Sequence, residues 1–418
     1  MKRFLSLLSL VFCAAVSGQN TYKPLVLGDS VTLKLGGFVR NEIFYDSRKT
    51  VDAVDGLFNI YPDLRLPDAG GRDINDIQYV NMLAITTRLN GLFTGPDVFG
   101  AKSSAFFEFD FTGYNLSNGV RFRQGWTKLK WQKSELLMGQ FWHPYFMLEN
   151  APTVLGLNTG APYACFNRSP QIRYTYSVTP GLSAFIAAVY QTASGTTGPA
   201  GPSLDYMRTS GVPEVVANLQ YKLGQSLVIG VSGGAKAIKP RTSTTGTGGR
   251  YKTQNLVKSY NGQFYAAYTN GLLKAKISTM YGQNTYEYLM LGGYAVTSRD
   301  AVTGHETYTP TAHWYNWVNI TYGKDFVVGI YAGFAKNLGT KENYLAGAGN
   351  TFERGEHIAY IYRISPHFSY RVKRFQFGME FEQNAAAYGT ADPANKGHVN
   401  KAYESKAMRV VGLMMYYF

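Results

Sequence analysis

From residue 31 to the C-terminus, apolar and polar residues alternate in short runs, with Gly, Pro, Asn and Asp clustered between the runs. A period of two turns successive side chains to opposite faces of an extended strand. The runs predict sixteen strands. The first eight cover Val31–Tyr45, Asn81–Phe93, Ser103–Thr112, Val120–Trp131, Ser134–Phe141, Pro170–Val178, Leu182–Thr192 and Pro213–Leu223. The second eight cover Leu227–Ile238, Val257–Thr269, Leu272–Gln283, Thr311–Tyr322, Phe326–Lys336, His357–Val372, Phe375–Tyr388 and Tyr403–Phe418.

The connections alternate in length. Gln132-Lys133, Thr179-Pro180-Gly181, Gly224-Gln225-Ser226, Asn270-Gly271, Gly323-Lys324-Asp325 and Lys373-Arg374 are short. Asp46 to Val80, Trp142 to Ser169, Ala193 to Val212, Lys239 to Leu256, Asn284 to Pro310, Asn337 to Glu356 and Gly389 to Ala402 are long. Tight turns at one rim and long loops at the other mark the barrels that cross bacterial outer membranes. An even strand number then puts both termini on the short-turn rim. A two-sheet soluble sandwich has no reason for so strict an alternation.

The faces fit that reading. Phe107, Phe109 and Phe111 oppose Glu108 and Asp110; Phe375, Phe377, Met379 and Phe381 oppose Gln376, Glu380 and Glu382. Tyr360, Tyr362, Ile364, Phe368 and Tyr370 oppose Arg363, Ser365, His367, Ser369 and Arg371. Many apolar faces end in Tyr or Phe, as the aromatic girdles of a membrane barrel do. Met408, Val410, Gly412, Met414, Tyr416 and Phe418 share one face and end the chain on an aromatic, which resembles the insertion signal of such barrels.

Composition sharpens this. The chain has 32 Tyr, 25 Phe and 45 Gly, and only 16% charged residues, against about 25% in soluble domains. Lys2 and Arg3, an apolar stretch over Phe4–Val16 and the small Ser17 and Gly18 form a leader, with cleavage expected after Gly18. Leu10-Val11-Phe12-Cys13 faintly matches a lipoprotein box, but bulky Phe12 argues against lipidation. No later apolar run reaches the roughly 18 residues of a helical span. Residues 19–418 are therefore read as a single barrel domain. With Cys13 in the leader, Cys165 stands alone, so neither a disulfide nor a cysteine metal site is expected. Net charge is +14, and loss of Lys2 and Arg3 leaves +12. Export disfavours a nucleic-acid partner and leaves anionic solutes or membrane surfaces.

Alternation assigns Arg40, Arg88, Arg121, Arg123, Arg173, Lys236, Lys274, Lys276, Arg363, Arg371 and Arg409 to the polar face, against the acids Glu42, Glu108, Asp110, Glu380 and Glu382. Near Gly125 the alternation of the fourth strand slips, which suggests a bulge. The connection at about 142–169, after the fifth strand, carries Tyr145, Phe146, Leu148, Val154, Leu155, Leu157, Tyr163 and Phe166. So apolar a loop is expected to pack against the inner wall and constrict a pore; Glu149 is its one acid. The other long loops are expected outside the channel, so trimming Ala193–Val212 or Asn284–Pro310 should leave conductance nearly intact. The six histidines are scattered, no HExxH, GxSxG, P-loop or CxxC motif occurs, and no enzyme, cofactor or metal is expected. His143 reads as a pore-lining or capping residue.

One stretch resembles a known family. Leu137-Met138-Gly139-Gln140-Phe141-Trp142, Pro152-Thr153-Val154-Leu155 and Asn167-Arg168-Ser169-Pro170-Gln171-Ile172-Arg173-Tyr174-Thr175 are similar in order to a pattern of the trimeric DcaP-like porins. The match covers about forty residues, with Gly139, Gln140, Trp142, Pro152, Arg168, Pro170, Gln171, Arg173 and Tyr174 at matched positions. The resemblance implies sixteen strands, a homotrimer and uptake of small anionic solutes such as dicarboxylates. It makes Arg168 and Arg173 candidate solute contacts. Some members carry an N-terminal helical segment before the barrel; here about a dozen residues separate Gln19 from the first strand.

The expectation is thus an all-β, sixteen-stranded antiparallel transmembrane barrel with an inward-folded constriction loop after strand five. It would sit among lipid and lipopolysaccharide in a Gram-negative outer membrane and pass small, preferentially anionic solutes. The alternative is a surface barrel whose long loops serve binding or adhesion.

Overall fold

The structure, a computed structural model, describes residues 23–28, 30–113, 119–192 and 194–418. The leader expected over residues 1–18 lies outside them. The chain forms a closed antiparallel barrel of sixteen strands. We number them β1 Val31–Asp46, β2 Tyr79–Leu83 continued by Arg88–Thr94, β3 Lys102–Asp110, β4 Arg121–Lys130, β5 Ser134–Trp142, β6 Arg168–Ser177, β7 Leu182–Val189 and β8 Glu214–Leu223. They continue as β9 Leu227–Ile238, β10 Val257–Asn270, β11 Leu273–Gln283, β12 Glu306–Gly323, β13 Phe326–Thr340, β14 Ile358–Val372, β15 Phe375–Asp392 and β16 His398–Tyr417. Sequence neighbours pair throughout. β16 returns to β1, from Phe38 opposite Tyr417 to Asp46 opposite Arg409, which removes the last free edge.

The two faces of the wall are inverted relative to a soluble protein. Ile43, Met138, Ile364 and Phe377 are 48%, 60%, 46% and 42% exposed on the outside. Asp46, Asp110, Arg123, Arg363 and Glu380 are fully buried on the inside. Buried charges need partners. Arg409 pairs with Asp46 at 2.7 Å, and Arg363 lies between Glu380 and Glu382, 3.0 Å from the latter.

Three departures from the sequence reading have local causes. β2 is interrupted: Ala84–Thr87 lie opposite only Val39, Arg40 and Asn41 of β1. Thr87 Oγ1 accepts from Arg40 N, and Ile85 turns in to join the buried cluster that contains Phe44, Leu57 and Phe58. The run Met82-Leu83-Ala84-Ile85 carries no break signal, so tertiary contacts set the interruption. Second, the bulge expected in β4 near Gly125 is present and centres two residues earlier, at Arg123: Gln124 opposes Glu108, Phe122 opposes Phe109, and Arg123 is the extra residue. Third, several strands outrun their predicted ends. β12 starts at Glu306, β13 reaches Thr340, β15 reaches Asp392 and β16 starts at His398. The long connections also hold structure of their own, including a hairpin of Thr50–Ala53 with Phe58–Pro62 and a strand Gly292–Arg299 between β12 and Thr351–Arg354.

Gly139 fixes the register of β5 against the bulge. It has φ +134°, and a Cβ there would lie 2.3 Å from the Gly125 carbonyl oxygen and 2.6 Å from Trp126 Cα. Gly139→Ala is expected to lower barrel stability by about 3 kcal/mol or more. Gly224→Ala, at a turn with φ +59° and nothing within 4 Å, should cost only about 1 kcal/mol. Urea titration followed by heat-modifiable gel migration reads both. The same titration of Arg363→Met, which strands two buried carboxylates, should show a loss of about 3–5 kcal/mol.

Candidate functional site

The inner wall of β2–β6 carries a group of guanidiniums. The bulge sets it up, because it turns both Arg123 and Gln124 inward. Its exposed carbonyls are not left bare: Gln140 Nε2 on β5 donates to the oxygens of Phe122 and Arg123, at 3.1 and 2.8 Å. In hydrocarbon an unpaired carbonyl is costly, so this side chain closes the backbone account of the bulge. Arg123 donates from Nε to Glu108 and from Nη1 to Asp110, both at 2.6 Å. Arg121 grips Asp110 in a bidentate pair at 3.0 and 3.2 Å, and the Thr112 hydroxyl donates to the same carboxylate.

Arg88 and Arg168 lie within electrostatic reach of Glu108. Arg88 sits over the Phe38 ring, 5.2 Å from its centroid. Arg168 is buried against Trp142 and Phe166, at 4.9 and 5.2 Å, and its Nε and Nη1 have no hydrogen-bond partner. Arg88 Nε and Arg123 Nη2 are also unpartnered. Four guanidiniums thus surround the carboxylates of Glu108 and Asp110, an excess of two positive charges.

The remaining predicted residues are distributed around the barrel. Arg173 donates to Gln171 Oε1 and the Trp142 carbonyl, both at 3.0 Å, and stacks on Phe185. Arg40 joins Glu42 at 2.8 Å and donates to the Leu155 carbonyl at 2.6 Å. Lys276 donates to the Ala151 carbonyl, Lys274 is exposed near the short-turn rim, and Arg371 lies over the Tyr417 ring. Glu149 pairs with Lys222 at 2.8 Å. His143 is buried, with Nε2 3.2 Å from Glu214. The group on β2–β6 therefore comes together, whereas Lys274, Lys276, Arg363 and Arg371 stand apart from it.

Segment 143–167 runs along one side of this group. Its contacts proceed from Lys222 on β8, through Asn261 and Gln263 on β10, Lys276 on β11 and Asn319 on β12, to Tyr331 on β13. It then meets Glu380 on β15, which accepts from Leu155 N and Gly156 N, and Arg40 on β1. Both ends are fastened by the quoted motif: Gln171 Nε2 donates to the carbonyls of Phe141, Trp142 and Ser169.

Sequence reasoning missed Lys222, Lys128 and Lys130. Lys222 follows Asn218 and Gln220 on one face of β8, so parity alone identifies it. Lys128 stacks on inward-facing Trp126, and only the bulge position reveals its side.

No protein-family model matches the chain, and no curated protein sequence does. Solved structures do match. The outer-membrane channel DcaP of Acinetobacter baumannii superposes with a TM-score of 0.68 at 18% identity, covering 94% of this chain and 99% of that one. An anion-selective porin from Comamonas acidovorans gives 0.54 at 11% identity, over 93% and 100%. A trimer form of Vibrio cholerae OmpT gives 0.54 at 12% identity, over 93% and 100%. In fold, this chain is a sixteen-stranded antiparallel barrel of the kind seen in outer-membrane porins and is similar to the DcaP channel.

Proposed function

We propose that this chain is a passive outer-membrane porin for small hydrophilic, preferentially anionic solutes, exported by its leader and assembled as a homotrimer. One observation carries the reading: on the β2–β6 side four guanidiniums face two carboxylates, while segment 143–167 crosses the interior along β8–β13, β15 and β1 and reaches that side through Leu148 and Phe166. We read the segment as the element that narrows the channel, with half-buried Arg88, Arg121 and Arg173 facing the opening and Arg123 and Arg168 buried behind them. The long loops would face outward and the short turns the periplasm. The similarity in fold to the anion-selective Comamonas porin and to the trimer form of Vibrio OmpT supports the selectivity and the assembly.

Charge alone sets the expected size of the effect. A unit charge about 7 Å from a passing anion contributes about 0.6 kcal/mol in water, roughly a threefold change in relative permeability. Purified protein in a planar bilayer under a salt gradient is expected to show an anion-preferring reversal potential. Arg121→Gln, which leaves Arg123 on Asp110, should lower the anion-to-cation ratio by about threefold at low salt. The difference should fade near 1 M salt, where the Debye length is about 3 Å. A cation-preferring wild type would refute the selectivity, and a folded protein without conductance would refute the pore.

A further inference from the structure

The connection from β11 to β12 does not behave as a surface loop. Tyr288, Met290 and Leu291 have no exposed surface, and Glu287 is 1% exposed. Tyr288, Met290 and Leu291 belong to one buried cluster with Met280, Tyr315, Trp317 and Tyr331 of the inner wall, Ile60 and Tyr61 from the hairpin of the first long connection, and Tyr163 and Cys165 of segment 143–167. Burying two aliphatic side chains and a tyrosine among wall residues is stabilising only if water is displaced from that part of the interior.

The stretch is also held by charge. Lys236 on β9 donates from Nζ to the Asn284 carbonyl and to the Glu287 carboxylate, with the Tyr288 ring 4.6 Å away. The Tyr288 hydroxyl donates to Glu214 on β8, the residue that also meets His143. Asn167 Nδ2 donates to the Glu287 carbonyl at 2.8 Å, and Phe166 N to the Tyr288 carbonyl at 2.9 Å, which ties the stretch to segment 143–167. On the far side, Arg354 Nη1 donates to the carbonyls of Tyr286 and Met290 at 2.8 and 2.7 Å.

We infer that Asn284–Leu291 is a second constricting element, held in place by Lys236, that fills the β8–β13 side of the channel and sets its size limit. Lys236 is a positioning residue: its ammonium is spent on the loop and does not meet solute. This rests on the porin reading and departs from the expectation that the whole connection lies outside the channel. Confining permeation to the β2–β6 wall would bring each solute close to the arginines, so the size limit and the charge preference share one cause.

Lys236→Met removes the ammonium, keeps the side-chain length and leaves Glu287 without its cation. Reconstituted with the full chain, it should raise single-channel conductance about twofold, because conduction follows the open cross-section. In liposome-swelling assays it should also admit larger neutral sugars, a readout that a lost charge alone does not move. Lys236→Arg, which keeps charge and donors, should stay at the wild-type limit. If Lys236→Met does not refold, Glu287→Gln asks the same question from the loop and is expected to widen the pore. A folded Lys236→Met or Glu287→Gln with unchanged conductance and sugar limit would overturn the inference. A wild type that conducts nothing would instead overturn the porin reading.

Discussion

In hydrocarbon, a backbone N–H or C=O has no water to turn to. Every main-chain group in the wall must find its partner within the wall, and only a helix or a closed sheet can arrange that. In this chain the pairing of β1 with β16 completes the ring. The rest follows from closure. One face of each strand must suit lipid, the other is free to carry charge, and alternate residues supply the two.

Charge on the inner face creates its own demand. A buried guanidinium is tolerable when carboxylates and hydrogen bonds surround it; Arg409 grips Asp46 in a bidentate pair, and Arg363, although its Nη1 has no partner, lies between two carboxylates, so both serve as braces. The β2–β6 group does not: its guanidiniums outnumber their carboxylates, and Arg168 keeps two nitrogens unpartnered. A wall with surplus positive charge is poorly satisfied by protein alone, and that surplus, rather than any single orphaned nitrogen, sets the β2–β6 arginines apart from the braces.

The sequence made the architecture legible because its strongest signals are local. Alternation, turn residues and the rhythm of short and long connections each depend on a few neighbouring residues, and Phe107 against Glu108 or Tyr362 against Arg363 declares a face without further context. What stayed hidden depends on distant partners. Nothing in Met82-Leu83-Ala84-Ile85 announces that Ile85 will join the buried cluster that contains Phe58. Nothing in Tyr286-Glu287-Tyr288 announces a lysine fifty-one positions earlier. Arg88, Arg121 and Arg123 of the candidate site were legible by parity and Arg168 only by the resemblance of its motif, but how they divide between bracing and surplus required the acids that face them.

The extra residue in β4 does more than aim Arg123. It shifts the reading frame of everything that follows on that strand. Counted by strict alternation from Arg121, Lys128 and Lys130 would point into the bilayer; with one residue inserted, Lys128 faces Trp126 inside the barrel. A lysine on the lipid side costs up to about 2–4 kcal/mol at mid-depth and less near the interface. Gly139 and Gln140, which admit and cap the bulge, therefore decide at a distance whether this strand can be inserted at all, and a deletion that straightened it would be felt first as a defect of assembly.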